Sequence, residues 1–224
     1  LGFSGSGINA DVSGFTGTGT AGITSFSVET AGAVAFTGST GSTTYSVAKS
    51  VDNNASTFAI ANSVGETATT LTLNGGVKTG TTTFTGISTV NVVSTGTTSN
   101  LLGKEANTFV AGGATTSTDL VNGDNTKFVI TGSQDLEIDS LKATTTGSQV
   151  DATAFTGKLT VTGSVKSDVL KGGSGNDILQ VGQGTAGAVA SQADVLTGGA
   201  GVDTFKFAET YNTDKATTFA AILK

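Results

Sequence analysis

The sequence contains no cysteine, histidine, methionine, tryptophan or proline, and all eleven of its cationic residues are lysine. Without histidine or cysteine there is no imidazole base, no thiolate nucleophile and no zinc site built from the usual nitrogen and sulfur ligands. Most hydrolase and redox mechanisms are thereby removed. Catalysis would need a carboxylate pair or a serine–lysine arrangement, and neither has a recognisable motif here. We therefore predict that the chain is not an enzyme.

Charged residues are also scarce, at 12% of the chain against roughly 25% in an average soluble domain. The net charge of −6 and the lack of a clustered basic face argue against a nucleic-acid partner and favour cation binding. No apolar run approaches the ~18–20 residues of a membrane span, so no transmembrane segment is predicted. A surface of threonine, serine, asparagine and glycine suits an extracellular β protein.

Without disulfides, a large secreted protein needs another means of stabilisation, and a bound metal ion is the obvious candidate. The chain starts at Leu1 and contains no methionine. We therefore expect it to be a fragment or a processed chain.

Apolar residues alternate with polar ones in short runs separated by glycine, asparagine and aspartate clusters. This period of two is the signal of strands with one buried face, so the fold class is predicted to be all-β. Strands at such even spacing fit a sandwich, a barrel or a solenoid. A short helix is possible only around residues 215–223. The predicted inward pairs are Phe26/Val28, Val34/Phe36, Tyr45/Val47, Phe58/Ile60, Leu71/Leu73, Val90/Val92, Phe128/Ile130, Leu136/Ile138, Leu159/Val161 and Phe205/Phe207.

The strongest repeat lies near the C-terminus. Residues 172–180 (GGSGNDILQ) and 198–206 (GGAGVDTFK) both match the nonapeptide G-G-x-G-x-D-x-U-x, the signature of calcium-binding β-helices in repeat-in-toxin proteins. Diverged copies flank them, because Asp168 and Asp194 each precede the aspartate of a full copy by nine residues. This phase predicts a parallel β-roll with Ca²⁺ bound at its glycine- and aspartate-rich turns.

Each position of the nonapeptide has a physical role. Glycine at the first, second and fourth positions permits a positive φ and a tight turn, and aspartate at the sixth adds a carboxylate to the all-oxygen ligand set that Ca²⁺ prefers. The eighth position is expected to point into the roll, as Leu170, Leu179, Leu196 and Phe205. The predicted calcium-site residues are Gly172, Gly173, Ser174, Gly175, Asn176, Asp177, Gly198, Gly199, Ala200, Gly201, Val202 and Asp203, with Asp168, Asp194 and Asp214.

One repeat is irregular, because the stretch from Val181 to Ala190 lacks an aspartate near Ala186 and is one residue short of the period. A weaker calcium site is expected there. With two repeats per coil, Asp177 and Asp194 are predicted to face each other across a shared edge. The alternative for all these aspartates is turn capping through side-chain hydrogen bonds.

Residues 161–209, which end in DVLTGGAGVDTFKFAE, resemble the closing repeats of type I-secreted repeat-in-toxin (RTX) proteins. The upstream phrases GISTVNVVSTG and FVITGSQDLEID are similar to the body of Gram-negative S-layer proteins. The resemblance implies a chain that stays unfolded at low calcium, passes the type I channel and folds outside. It divides the chain into a Thr/Gly/Ser-rich β region (1–160, solenoid-like or sandwich), an RTX β-roll (161–209) and a C-terminal cap segment (210–224).

Three functions remain open. The resemblance favours a calcium-dependent, self-assembling S-layer subunit at the bacterial cell surface, whose partners would be copies of itself and surface polysaccharide of the outer membrane. The alternatives are an adhesin stiffened by calcium, and the secretion and folding module of a larger RTX exoprotein.

Overall fold

The computed structural model describes residues 2–3, 8–11, 25–28, 34–39, 43–47, 58–62, 68–79, 82–85, 87–103, 120–122, 126–139, 141–143, 146–164, 166–182 and 194–207. Every regular element in these ranges is a β-strand, which confirms the all-β prediction. The short helix predicted at residues 215–223 lies outside them. The strands are β1 (Gly2–Phe3), β2 (Ile8–Asp11), β3 (Ser25–Val28), β4 (Val34–Ser39), β5 (Thr43–Val47), β6 (Phe58–Asn62), β7 (Ala68–Asn74), β8 (Thr82–Thr85), β9 (Thr89–Thr95), β10 (Asn100–Leu102), β11 (Leu120–Asn122), β12 (Lys127–Gly132), β13 (Leu136–Ile138), β14 (Leu141–Lys142), β15 (Gln149–Phe155), β16 (Leu159–Thr162), β17 (Val169–Lys171), β18 (Ile178–Gln180), β19 (Val195–Thr197) and β20 (Thr204–Lys206).

Among the described residues the strands pair in parallel and form three sheets. The nine-stranded sheet has the order β1-β3-β5-β7-β9-β12-β15-β17-β19, the six-stranded sheet β14-β11-β8-β6-β4-β2, and the five-stranded sheet β10-β13-β16-β18-β20. The chain first alternates between the nine- and six-stranded sheets, then visits all three from β9 to β14, and finally alternates between the nine- and five-stranded sheets. Such a parallel return to the same sheet with each coil is a β-solenoid, which selects one of the three predicted topologies.

The nine-stranded and five-stranded sheets run without a break from the Thr/Gly-rich region into the repeats. Strand β15 pairs with β12 on one side and with β17 on the other. Strand β16, which spans residues 160 and 161, likewise pairs with β13 and β18. The division of the chain at residues 160 and 209 into domains stays a prediction.

The core lies between the sheets and is built from the predicted alternation. Strands β7 and β9 bury every second residue, and their inward side chains join one cluster with those of the other sheets. At the N-terminal end the rings of Phe26, Phe36 and Tyr45 pack with centroids 4.8 to 5.8 Å apart. The side chains of Val28, Phe58 and Ile60 lie outside the described ones. The fully buried side chains include Val47, Leu71, Leu73, Val90, Val92, Phe128, Ile130, Ile138, Leu159 and Val161.

The last predicted inward pair is only half right. Phe205 packs against the core, but Phe207 is 51% exposed. The reason is that β20 ends at Lys206, so the alternation of the strand does not extend to residue 207.

A buried asparagine marks the corner where the five-stranded sheet begins. Asn100, the first residue of β10, accepts a hydrogen bond from Val77 N at 3.1 Å. Its amide nitrogen donates to Ser94 Oγ at 2.9 Å and to the carbonyl of Thr95 at 3.1 Å. One side chain therefore satisfies backbone groups from two successive coils at this turn.

Candidate calcium site

The four aspartates of the repeats each directly precede a strand, but they lie on two edges of the roll. At the first edge the chain passes from the nine-stranded to the five-stranded sheet, and there Asp177 and Asp203 precede β18 and β20. At the second edge it returns to the nine-stranded sheet, and there Asp168 and Asp194 precede β17 and β19.

The prediction that Asp177 and Asp194 face each other is therefore wrong. The backbone N–H of Asp168 donates to Asp194 Oδ1, and that of Asp177 to Asp203 Oδ1, each pair being 26 residues apart. One coil here is longer than two nonapeptides, so each aspartate stacks on the aspartate one full coil away. The weaker site expected near Ala186 falls within residues 183–193, outside the described ranges.

Three turns stack along the first edge, and we name them the upstream turn (154–159), the middle turn (172–177) and the downstream turn (198–203). The middle turn lies so close to the downstream turn that a Cβ on Gly172 would overlap both the Gly198 carbonyl and the Asp177 carboxylate. A backbone carbonyl and a carboxylate oxygen thus converge beside Gly172. Oxygens of these two kinds are the ligands that Ca²⁺ prefers.

The glycines of these turns act in two different ways. Gly199 and Gly201 of the downstream turn have φ values of 102° and 104°, as predicted for the second and fourth positions, whereas Gly198 at the first position does not have the predicted positive φ. The glycines of the middle turn do not lie in this left-handed region, contrary to the prediction. They are required by close approach, because a Cβ on Gly173 or Gly175 would overlap a carbonyl of the upstream turn.

The carboxylates of the first edge reach back to the preceding coil. Asp177 is fully buried, and it accepts hydrogen bonds from Leu159 N and from Gly173 N, both at 2.7 Å. The two bonds fall on different oxygens, so each oxygen keeps lone-pair capacity for a cation. These bonds are those that the capping alternative predicts, and they orient the carboxylate towards the space between two turns.

The other predicted residues of the first edge connect the turns through backbone hydrogen bonds and through the side chain of Asn176. Ala200 N donates to the Gly173 carbonyl at 2.9 Å, and Asn176 Oδ1 accepts from Val202 N at 2.8 Å. Ser174 is exposed, and its N–H donates to the carbonyl of Phe155. Asp214 lies outside the described residues.

The second edge also brings two carboxylates together, those of Asp168 and Asp194. Asp168 is fully buried and accepts from the backbone N–H groups of Ser148 and Ser164, both at 2.6 Å, and from Ser164 Oγ. Burial nevertheless raises the pKa of Asp168. Burial, with the charge of Asp168 as a further cause, raises the pKa of Asp194 to about 6. A cation would relieve both effects, since it favours the ionised carboxylates.

Ser148 and Ser164 escaped the sequence analysis, although one signal was present. Ser164 stands four residues before Asp168, as Gly173 stands four before Asp177. Alignment of GSVKSD (163–168) with GGSGND (172–177) would have identified it. Ser148 belongs to the preceding coil, and no local pattern connects it to Asp168.

Within the described residues, no group of three or more acidic, histidine or cysteine side chains is placed to hold a metal ion. A calcium site formed by the described residues would take further ligands from backbone carbonyls. The stacked glycine turns supply them, so the donor set fits Ca²⁺.

Comparison with known families agrees with this geometry. Residues 160–185 and 190–207 match the family model described as the RTX calcium-binding nonapeptide repeat, which comprises four copies. These segments are calcium-binding RTX repeats. The RTX repeats form the β-roll around β17–β20, and calcium is the cofactor they imply. No curated protein and no solved structure matches the chain.

Among the described residues, no helix is long and apolar enough to cross a bilayer. Proteins that carry RTX repeats are typically secreted, which supports an extracellular location for this chain.

Proposed function

We propose that this chain is a structural protein of the bacterial cell surface, a calcium-dependent S-layer subunit that self-assembles after type I secretion and has no enzymatic activity. One observation carries the proposal. The nine-stranded sheet joins the RTX repeats to the Thr/Gly-rich region without interruption, so that calcium held by the repeats supports a long, continuous sheet.

The outer face of that sheet suits contacts between copies. Its outward residues stack in columns, one of which includes Thr44, Thr70 and Asn91, and a second Ser46 and Thr72. These side chains are half-buried, short and uncharged. A neutral face of this kind can pack against a second copy without burying unpaired charge, which would be costly.

Charge increases towards the repeats. Lys127 and Asp151, on neighbouring strands of the same sheet, form an ion pair with 3.3 Å between Nζ and Oδ2. Surface polysaccharide, the second proposed partner, would meet a face rich in hydroxyl groups upstream of this pair.

Calcium would act on the stability of the whole solenoid through linkage. If it binds the folded roll and not the unfolded chain, each site adds about 2.7 kcal/mol at a calcium concentration 100 times Kd. A chain that folds only with this contribution remains unfolded at low internal calcium, as export requires, and folds outside the cell.

The test is a calcium titration of the purified chain followed by circular dichroism, with electron microscopy of the end point. A strand signal that rises cooperatively with calcium, together with ordered two-dimensional arrays, is expected. Calcium-dependent folding to a monomer without arrays would reject the S-layer assignment in favour of an adhesin or an exoprotein module. A chain that is equally folded in chelator would refute the calcium requirement.

A further inference from the structure

The upstream turn belongs to the Thr/Gly-rich region, yet it meets the middle turn in the same way as the middle turn meets the downstream turn. Ser174 N donates to the Phe155 carbonyl at 3.0 Å, and Ala200 N donates to the Gly173 carbonyl at 2.9 Å. Each turn thus presents a carbonyl to the N–H of the next turn at the same place.

The carboxylates repeat this correspondence. Leu159 N donates to Asp177 Oδ1 at 2.7 Å, and Asp177 N donates to Asp203 Oδ1 at 2.9 Å. In both interfaces an aspartate reaches back from one turn to the last residue of the preceding turn.

The close contacts of the glycines complete the equivalence. A Cβ on Gly175 would overlap the carbonyl of Gly157, as a Cβ on Gly201 would overlap that of Gly175. A Cβ on Gly199 would overlap the Gly173 carbonyl, as a Cβ on Gly173 would overlap that of Phe155. Backbone carbonyls of each turn are therefore directed at the next turn in both interfaces.

We propose that the interface between the upstream and middle turns binds a second Ca²⁺, with the carbonyls of Phe155 and Gly157 and the carboxylate of Asp177 among its ligands. The inference rests on the proposed function, with its calcium site placed between the middle and downstream turns where the Gly198 carbonyl and the Asp177 carboxylate converge beside Gly172, because it transfers that geometry by one coil. It extends calcium binding from the repeats into the Thr/Gly-rich region.

The two sites differ in charge. Asp177 and Asp203 both flank the site between the middle and downstream turns, whereas the upstream turn has Leu159 at the aspartate position. Calcium affinity depends on the number of charged ligands, so the upstream site binds more weakly. Asp177 borders both sites, and Asp203 borders only one of them among the described turns.

The chain contains no tryptophan, so a single introduced tryptophan can sensitise the luminescence of Tb³⁺, used as a calcium substitute, without background from others. Thr156 is exposed in the upstream turn, and Thr156→Trp places the reporter there. Emission is measured in this variant alone and combined with Asp203→Asn, Asp177→Asn or Asp151→Asn. Asp151 lies on neighbouring β15 outside the turns, so its substitution is the matched control for loss of one charge.

Emission that calcium displaces is expected to persist with Asp203→Asn and with the control, and to be lost with Asp177→Asn. Circular dichroism in saturating calcium checks that the Asp177→Asn chain keeps its strands. Equal loss with both turn substitutions would mean a single shared site and would overturn the inference while the proposed calcium site stands. Emission that persists with both Asp177→Asn and Asp203→Asn would also overturn the inference, because Asp177 would then not be a ligand. No displaceable emission in Thr156→Trp alone would reject the proposed calcium site itself.

Discussion

Substitution of Asp177 by asparagine separates the contribution of calcium to the free energy of unfolding from the contribution of the hydrogen bonds of this carboxylate. The carboxylate of Asp177 accepts one bond on each oxygen, from Leu159 N and from Gly173 N, in a fully buried position. An asparagine has the same shape but only one acceptor oxygen. One buried backbone N–H therefore loses its acceptor, which costs about 1–3 kcal/mol whether or not calcium is present.

Asp203→Asn provides the comparison. Asp203 is half-buried, and its described hydrogen bond is accepted by Oδ1 from Asp177 N at 2.9 Å. An asparagine oxygen can keep this bond, so the calcium-independent cost is expected to be small. Both substitutions remove a charged ligand from the proposed site, and both should therefore weaken calcium binding.

The assay is urea unfolding followed by circular dichroism at a series of fixed free calcium concentrations. Above Kd, each bound ion raises the free energy of unfolding by about 1.4 kcal/mol per tenfold increase in calcium. Just above the Kd of the unsubstituted chain, both variants should show a lower slope because their weakened sites are not yet filled, and Asp177→Asn should also show a vertical offset. Slopes equal to that of the Asp151→Asn control in both variants would refute the assignment of these aspartates to a calcium site.

Three further predictions concern residues around the site and upstream of it. Asn100→Ala should lower the free energy of unfolding by roughly 3 kcal/mol or more in urea titrations. The buried N–H of Val77 loses its acceptor, and Ser94 Oγ and the Thr95 carbonyl lose a donor. A loss below about 1 kcal/mol would contradict a stabilising role for the Asn100 side chain. Gly132→Ala should lower the free energy of unfolding more than Gly76→Ala does in the same titration. Both glycines have positive φ, but only at Gly132 would a Cβ overlap a carbonyl. Equal losses in the two variants would refute the steric reason. In chelator, the raised pKa of Asp194 predicts a contribution to the free energy of unfolding that is fully present below pH ~4 and is lost as the pH rises through about 6. The reason is that, between these pH values, the folded chain holds a proton that the unfolded chain releases. Urea unfolding in chelator should show that the free energy of unfolding changes less across this pH range in Asp194→Asn than in the unsubstituted chain. The same pH dependence in both chains would contradict the prediction.

Features set by local sequence could be predicted. The alternation of apolar residues located the strands, and the nonapeptide placed Leu170 and Leu179 in the core, where both are fully buried. The position of an aspartate directly before each repeat strand also followed from the motif. These features depend on side-chain direction and turn chemistry over a few residues, so they are visible in the sequence.

Features set by coil length could not be predicted. The pairing of Asp168 with Asp194 depends on how many residues the chain uses before it returns to the same sheet, and here that number is 26. Asn100 gives a similar lesson, because its partner Val77 lies 23 residues away and is brought to it only by the stacking of coils. The nine-residue period of the repeats does not show that one coil is longer than two nonapeptides.

The continuous sheet explains how calcium can stabilise residues that it does not contact. The backbone of β15 pairs with β17, and Ser148, directly before β15, donates its N–H to the carboxylate of Asp168. If the repeats unfold without calcium, β15 becomes an edge strand with unpaired backbone groups and loses this acceptor. An exposed edge of a flat parallel sheet favours pairing with another chain. If the repeats fold only with calcium, as proposed, calcium binding therefore also decides whether β15 is covered by β17 or remains an exposed edge.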